Sequence, residues 1–281
     1  MNKEASAPLV SATPADPVEP MRRLLEIMRQ LRDPVAGCPW DREQNFSSIV
    51  PHTLEEAYEV AEAVHNSDSQ ALRAELGDLL FQVVFLSQLA SEAGWFNFDD
   101  VAQSISQKLV RRHPHVFGAA ETPSAAEQTR LWEAIKADER AAEGAAGVLA
   151  GVALALPALT RAAKLGKRAG RVGFDWPTAE GVRLKVMEEL AEFDETLSGA
   201  ESIERQEEEL GDLLFAVANW ARRLGLDPEA ALRGSNQKFE HRFAAMETMA
   251  QAGNQALESL SLEQWQALWL QAKTKSAATR R

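Results

Sequence analysis

Two acidic pairs, Glu56-x-x-Glu59 and Glu75-x-x-Asp78, recur further along the chain as Glu189-x-x-Glu192 and Glu209-x-x-Asp212. The offset between copies is 133 residues for the first pair (189 − 56) and 134 for the second (209 − 75). The text around them repeats as well: Glu75-Leu76-Gly77-Asp78-Leu79-Leu80-Phe81 against Glu209-Leu210-Gly211-Asp212-Leu213-Leu214-Phe215. A chain built this way must fold as two similar units. Residues three apart on an α-helix share a face, so each copy presents two acidic pairs from two helices. All-oxygen clusters of this kind suit a hard divalent cation such as Mg²⁺, with Mn²⁺ as a possible substitute.

A single Glu-x-x-Glu is ordinarily a solvated helix surface. Here the neighbours argue otherwise. On a helical wheel Ala71, Glu75, Asp78 and Gln82 form one stripe, beside an apolar stripe of Leu72, Leu76, Leu79, Leu80 and Val83 that is expected to be buried. Acids on the flank of a buried stripe face the neighbouring helix, where four of them repel unless a cation or protons intervene.

The chain has 281 residues, a length that suits two domains. Long segments carry Ala, Leu, Glu, Gln and Arg at helical spacing, which predicts an all-α fold of two tandem antiparallel bundles with four to five helices each. The expected division is a disordered arm over 1–20, a helical domain over 21–142, a linker over 143–155, a second domain over 156–275 and a tail over 276–281. The formal net charge of −12 argues against a nucleic-acid partner. Cys38 is the one cysteine, which excludes intramolecular disulfides and a cysteine-rich zinc site, and fits a cytoplasmic location. The first twenty residues, with four prolines, lack the apolar core of a signal peptide. No stretch reaches the roughly 18 uncharged apolar residues of a membrane span.

Helices are expected near 21–32, 53–65, 69–93, 99–112 and 124–142, then near 156–169, 178–198, 203–224, 228–250 and 262–273. The fourth ends at the breaker His113-Pro114. Basic and aromatic residues recur with the acids: Lys108 and Arg112 match Lys238 and Arg242, and Trp132-x-x-x-Lys136 matches Trp269-x-x-x-Lys273. Taken singly, each cation is as readily a solvated helix face, and each tryptophan a core residue. Taken together, acids for a metal, cations for phosphates and an aromatic for a base describe a nucleotide site. Glu62-x-x-His65 is half of a di-iron motif, but the second copy has Glu195 and Ser198 there. Gly166-Lys167 is no phosphate-binding loop, because Arg161 stands where the first glycine belongs.

The segments Gly37-Cys38-Pro39-Trp40-Asp41, Thr53-Leu54-Glu55-Glu56, Glu75 to Phe85, Arg111-Arg112-His113-Pro114-His115-Val116-Phe117 and Val172-Gly173-Phe174-Asp175-Trp176 together resemble the MazG family within the all-α NTP pyrophosphatases. The resemblance covers about residues 20 to 275. It implies a hydrolase of phosphoric anhydrides that splits NTPs and dNTPs, with broad base specificity, to the monophosphate and pyrophosphate. It also implies Mg²⁺ and an intertwined homodimer, with activity in the C-terminal copy. By position, Glu189, Glu192, Glu209 and Asp212 are then the catalytic, metal-holding acids, with Glu56, Glu59, Glu75 and Asp78 as their N-terminal counterparts. Lys185, Glu188, Arg205, Glu208, Lys238, Arg242, Trp269 and Lys273 are expected to contact the nucleotide. The alternative is a helical module that senses nucleotides or docks a partner without turnover.

Overall fold

A computed structural model of the chain describes residues 18–118, 123–142 and 147–278. Among them there is no strand. Most of the expected arm lies at 1–17, outside the described residues, as do 143–146 of the linker and 279–281 of the tail. No helix is long and apolar enough to cross a membrane among the described residues. The chain divides into two compact units, Met1–Ile135 and Lys136–Arg281.

The first unit begins with α1 (Glu19–Leu31) and a short α2 (Pro39–Glu43). The long hairpin α3 (Phe46–His65) and α4 (Ser69–Glu92) follows, then α5 (Phe98–Arg112), α6 (Pro114–Phe117) and α7 (Ala125–Ala142), whose last turns lie past the division. The core is Met28, Ile49, Val84, Phe85 and Leu89, with Leu24, Leu25, Phe46, Phe81, Leu86 and Phe98 packed against it. Burying one such side chain stabilises by about 1.5–3 kcal/mol.

α3 starts seven residues before the expected 53. Asn45 Oδ1 accepts from the amides of Ser47 and Ser48 at 3.0 and 3.2 Å, and Ser48 Oγ accepts from the Asn45 amide at 2.9 Å. This reciprocal cap carries the helix through Pro51, which removes one interior hydrogen bond. The apolar stripe of α4 is also placed differently. Leu76 and Val83 stand 50% and 36% exposed, and the buried face runs instead through Val84, Phe85, Ser87, Leu89 and Ala90, towards α1 and α5.

The second unit holds α8 (Ala158–Arg171), the hairpin α9 (Ala179–Ser198) and α10 (Ile203–Arg223), then α11 (Pro228–Ala252) and α12 (Leu262–Ala278). α10 packs against both α8 and α9. The contact with α8 is close: a Cβ at Gly166 would overlap Asn219 Oδ1, and Asn219 is buried, donating to Phe215 O at 3.1 Å. Gly166 therefore serves helix packing, in line with its exclusion as a phosphate loop.

The two hairpins share one turn design. Ser67 (φ 54°) and Ala200 (φ 50°), 133 residues apart, take left-handed backbone just past α3 and α9. The next helix is capped by Asp68 in the first unit, but by Ser202 in the second. The inserted residue that changes the offset is therefore Glu201, between Ala200 and Ser202, and the helices themselves remain in step.

Each unit ties the loop before its first acidic helix to the bundle through an arginine, but from different elements. Arg32, at the C-cap of α1, chelates Glu92 (2.6 and 2.8 Å), donates to Asp41 O and lies 5.5 Å from the Phe85 ring centroid. In the second unit Arg222 of α10 donates to Asp175 at 2.9 Å, with Arg223 3.7 Å away. The Arg222 hydrogen bond outweighs burial and holds the Asp175 carboxyl below its usual range. A depressed folded-state pKa stabilises above the ordinary carboxylate range and ceases to as pH falls through the folded value. Asp175→Asn is therefore expected to cost about 1.5 kcal/mol at pH 7, with the difference from wild type closing as the pH falls below about 4. Urea unfolding at both pH values checks this, and a deficit independent of pH would refute it.

Candidate metal centre

α9 and α10 of the second unit each carry a cation followed by acids at three and four residues: Lys185, Glu188 and Glu189 on one, Arg205, Glu208 and Glu209 on the other. At this spacing all three share one helix face. Lys185 Nζ lies 2.8 Å from Glu188 and 2.7 Å from Glu189, and Arg205 pairs with Glu208 at 2.6 Å and with Glu209. Glu188 and Glu208, expected among the nucleotide-contacting residues, thus orient the two cations in this structure.

Glu189, Glu192 and Glu209 converge so that one oxygen of each lies within 4.8 Å of the others. Glu189 and Glu209 are buried, at 6% and 4% exposure, while Glu192 is open to solvent. Asp212, one turn further along α10, is exposed and outside this tight group. Partial desolvation of its carboxyl beside the other acids, then the charge of Glu189, raises the Glu192 pKa, against the opposing pull of Lys185. Lys185 itself is held above its ordinary value by Glu188 and then Glu189. Three converging carboxylates and no soft donor fit a hard cation of the Mg²⁺ or Mn²⁺ kind.

The first unit brings together Glu56, Glu75 and Asp78, with oxygens within 4.8 Å, so that here the counterpart of Asp212 joins the group in place of the counterpart of Glu192. Glu59 is adjacent, since its charge helps raise both Glu56 and Glu75. Burial is the larger cause for each, with Asp78 also contributing. His52 takes the place of Lys185, its Nδ1 3.6 Å from Glu55, and Ala71 takes the place of Arg205. Glu62 and His65 belong to neither cluster among the described residues.

The aromatic and basic residues form a second group on α11 and α12. Arg242 and Lys273 lie 5.6 and 5.8 Å from the Trp269 ring centroid, and Phe239 is 5.6 Å from it. Lys238 is one turn before Arg242. Sequence reasoning missed Phe239, Phe243 and Trp265, which extend the aromatic surface through a 6.0 Å contact between Phe243 and Trp265. Two i, i+4 aromatic pairs on adjacent helices were the available signal. In the first unit Trp132 packs edge-on to His113 at 5.1 Å and donates to Arg112 O at 3.0 Å.

Each unit holds an all-α hairpin that gathers three carboxylates into a candidate metal centre, flanked in the second unit by Lys185 and Arg205. The sequence comparisons narrow the class. The MazG nucleotide pyrophosphohydrolase domain matches residues 44–117 and 178–245. The chain is 48% identical over 252 residues to the nucleoside triphosphate pyrophosphohydrolase of Escherichia coli K12, covering 89% of this chain and 96% of that protein. It is 41% identical over 250 residues to the nucleoside triphosphate pyrophosphohydrolase/pyrophosphatase MazG of Thermotoga maritima, covering 89% and 94%. A nucleoside triphosphate pyrophosphohydrolase of Mycobacterium tuberculosis is 39% identical over 171 residues, covering 60% and 50%. The chain belongs to the MazG family, in its tandem form.

Proposed function

We propose that this chain is a divalent-metal-dependent nucleoside triphosphate pyrophosphohydrolase, cytoplasmic and homodimeric, whose turnover resides in the second unit. The observation that carries the reading is the convergence of Glu189, Glu192 and Glu209 beside Lys185 and Arg205. It is supported by 48% identity to a protein of that name.

Glu189, Glu192 and Glu209, with Asp212 completing the set, hold Mg²⁺. When bound, the ion offsets phosphate charge and lowers the pKa of a coordinated water. A carboxylate of the set left free of the ion, Glu192 or Glu189, would accept that water's proton. Lys185 and Arg205 turn from the carboxylates to the triphosphate and stabilise charge developing on the leaving pyrophosphate. Trp269, flanked by Arg242 and Lys273, offers a face on which a base stacks. Such stacking discriminates weakly among bases, in keeping with broad specificity. Leu184, Met187, Leu190, Leu210 and Leu214 stand exposed on the acidic helices, and a second copy covers them. Light scattering at micromolar concentration is expected to return twice the 30.9 kDa chain mass, and a monomer would count against the dimer.

The test is a panel of NTPs and dNTPs with Mg²⁺, measuring orthophosphate and pyrophosphate separately. Pyrophosphate and the monophosphate are expected as primary products, with turnover abolished by chelator. Orthophosphate and the diphosphate as primary products would overturn the assignment. Absence of any turnover would leave the nucleotide-sensing module.

A further inference from the structure

Trp269 has neighbours of two kinds. Arg242 and Lys273 place cations 5.6 and 5.8 Å from its ring centroid, while Phe239 places an apolar ring 5.6 Å away, tilted by 48°. The phosphates of a nucleotide are drawn to the cations. A base stacked on Trp269 is joined to those phosphates through the sugar, so it extends away from the charged borders. The apolar border it then meets is Phe239.

Phe239 stands 55% exposed, yet its ring is supported from behind. Phe243 stacks on it at 6.0 Å and 22°, and Trp265 stacks on Phe243 at 6.0 Å and 21°. A ring held in this way is preorganised and loses little freedom when a ligand reaches it. Packing of the helices does not demand an aromatic here. In the register that pairs Lys108 with Lys238 and Arg112 with Arg242, the first unit has Leu109 at this position and His113 in place of Phe243. Leu109 is 47% exposed, so a leucine serves the same half-open helix face. Trp132 there meets His113 edge-on at 5.1 Å. The extended aromatic surface therefore belongs to the unit that also carries Lys185 and Arg205.

We propose that Phe239 is a specificity-determining residue, which widens the base platform of Trp269 to two rings and so favours purine over pyrimidine nucleotides. A pyrimidine is covered by Trp269 alone. A bicyclic purine reaches past it, and the tilted Phe239 ring meets its far edge, an arrangement in which aromatic groups attract. The preference is modest and sits within a broad range of accepted bases, because every base has a face to stack. The inference rests on the reading of Trp269 as the base platform, and not on which bond of the triphosphate is cut.

Two measurements keep it separate from the proposed turnover. One is KM and kcat for ATP, GTP, CTP and UTP; the other is calorimetric Kd for AMP and CMP, which have no pyrophosphate to lose. Wild type is expected to favour purines about 5-fold in both, the lower end of what aromatic stacking contributes per base. Phe239→Leu is expected to raise KM and Kd for purines about 5-fold while kcat and the pyrimidine constants stay as they were, and Phe239→Tyr to keep the preference. Monophosphate binding reads the platform even where no triphosphate is hydrolysed, so a failure of pyrophosphate release leaves this inference standing. Equal affinity of wild type for AMP and CMP would overturn it. So would an undiminished purine preference in Phe239→Leu, or an equal loss for all bases, which would make Phe239 a packing residue.

Discussion

Glu192→Ala is expected to remove nearly all triphosphate hydrolysis, whereas Glu59→Ala leaves most of it. The two residues hold matching positions, 133 apart: Glu192 is one of three carboxylates gathered within 4.8 Å, and Glu59 adjoins the corresponding group of Glu56, Glu75 and Asp78. The acids alone would therefore predict equal losses. The asymmetry comes from the cations. Beside Glu192 stand Lys185 and Arg205, and beside Glu59 stand His52 and Ala71. A triphosphate carries about four negative charges near neutral pH, and one divalent ion offsets only two, so a cluster without its own cations binds it poorly. The loss in Glu192→Ala should exceed about 100-fold, beyond the range seen when only an outer partner of a ligand is removed. Rates of the two variants beside wild type at saturating Mg²⁺ decide the matter. Equal losses, or the larger loss from Glu59→Ala, would show that the cations do not set the asymmetry.

The second large effect concerns those cations directly. Lys185→Met with Arg205→Met keeps the bulk of each side chain and removes both charges. If each contact to the triphosphate is worth about 1.5 kcal/mol, the double variant loses on the order of 100-fold in kcat/KM, since 3 kcal/mol is about two powers of ten. The same change releases Glu189 and Glu209 from their partners. Affinity for the metal alone should therefore rise at the second cluster while turnover falls. Unchanged kcat/KM would mean that the two cations serve only to hold the carboxylates.

The hairpins were legible because their signals are local. Repeated acids at i, i+3 and the leucines that flank them each act within a turn or two. α3 starts before the expected 53 because the Asn45–Ser48 cap, a reciprocal geometry spelled by two unremarkable residues, carries the helix through Pro51. The face of α4 was turned because periodicity states that a helix has an apolar side without saying which neighbours compete for it. α1 and α5 take Val84, Phe85 and Leu89, leaving Leu76 and Val83 outside. In the site, the acids were visible as a pattern, but the engagement of Lys185 and Arg205 with Glu188, Glu189, Glu208 and Glu209 required side-chain conformations. Asp175 and Arg222, 47 residues apart, left no spacing to read.

The turn after the first acidic helix of each unit also bears on how such a chain can change length. Glu201 is the one residue by which the second hairpin exceeds the first, and it lies outside both helices, between Ala200 and the cap at Ser202. An extra residue within α9 or α10 would rotate everything beyond it by about 100° and shift it by about 1.5 Å, carrying one acidic pair away from the other. Placed in the turn, the same residue alters neither helical phase. Insertions and deletions that survive in this architecture should therefore collect at that hinge, and a designer lengthening the loop there would leave the carboxylates facing one another.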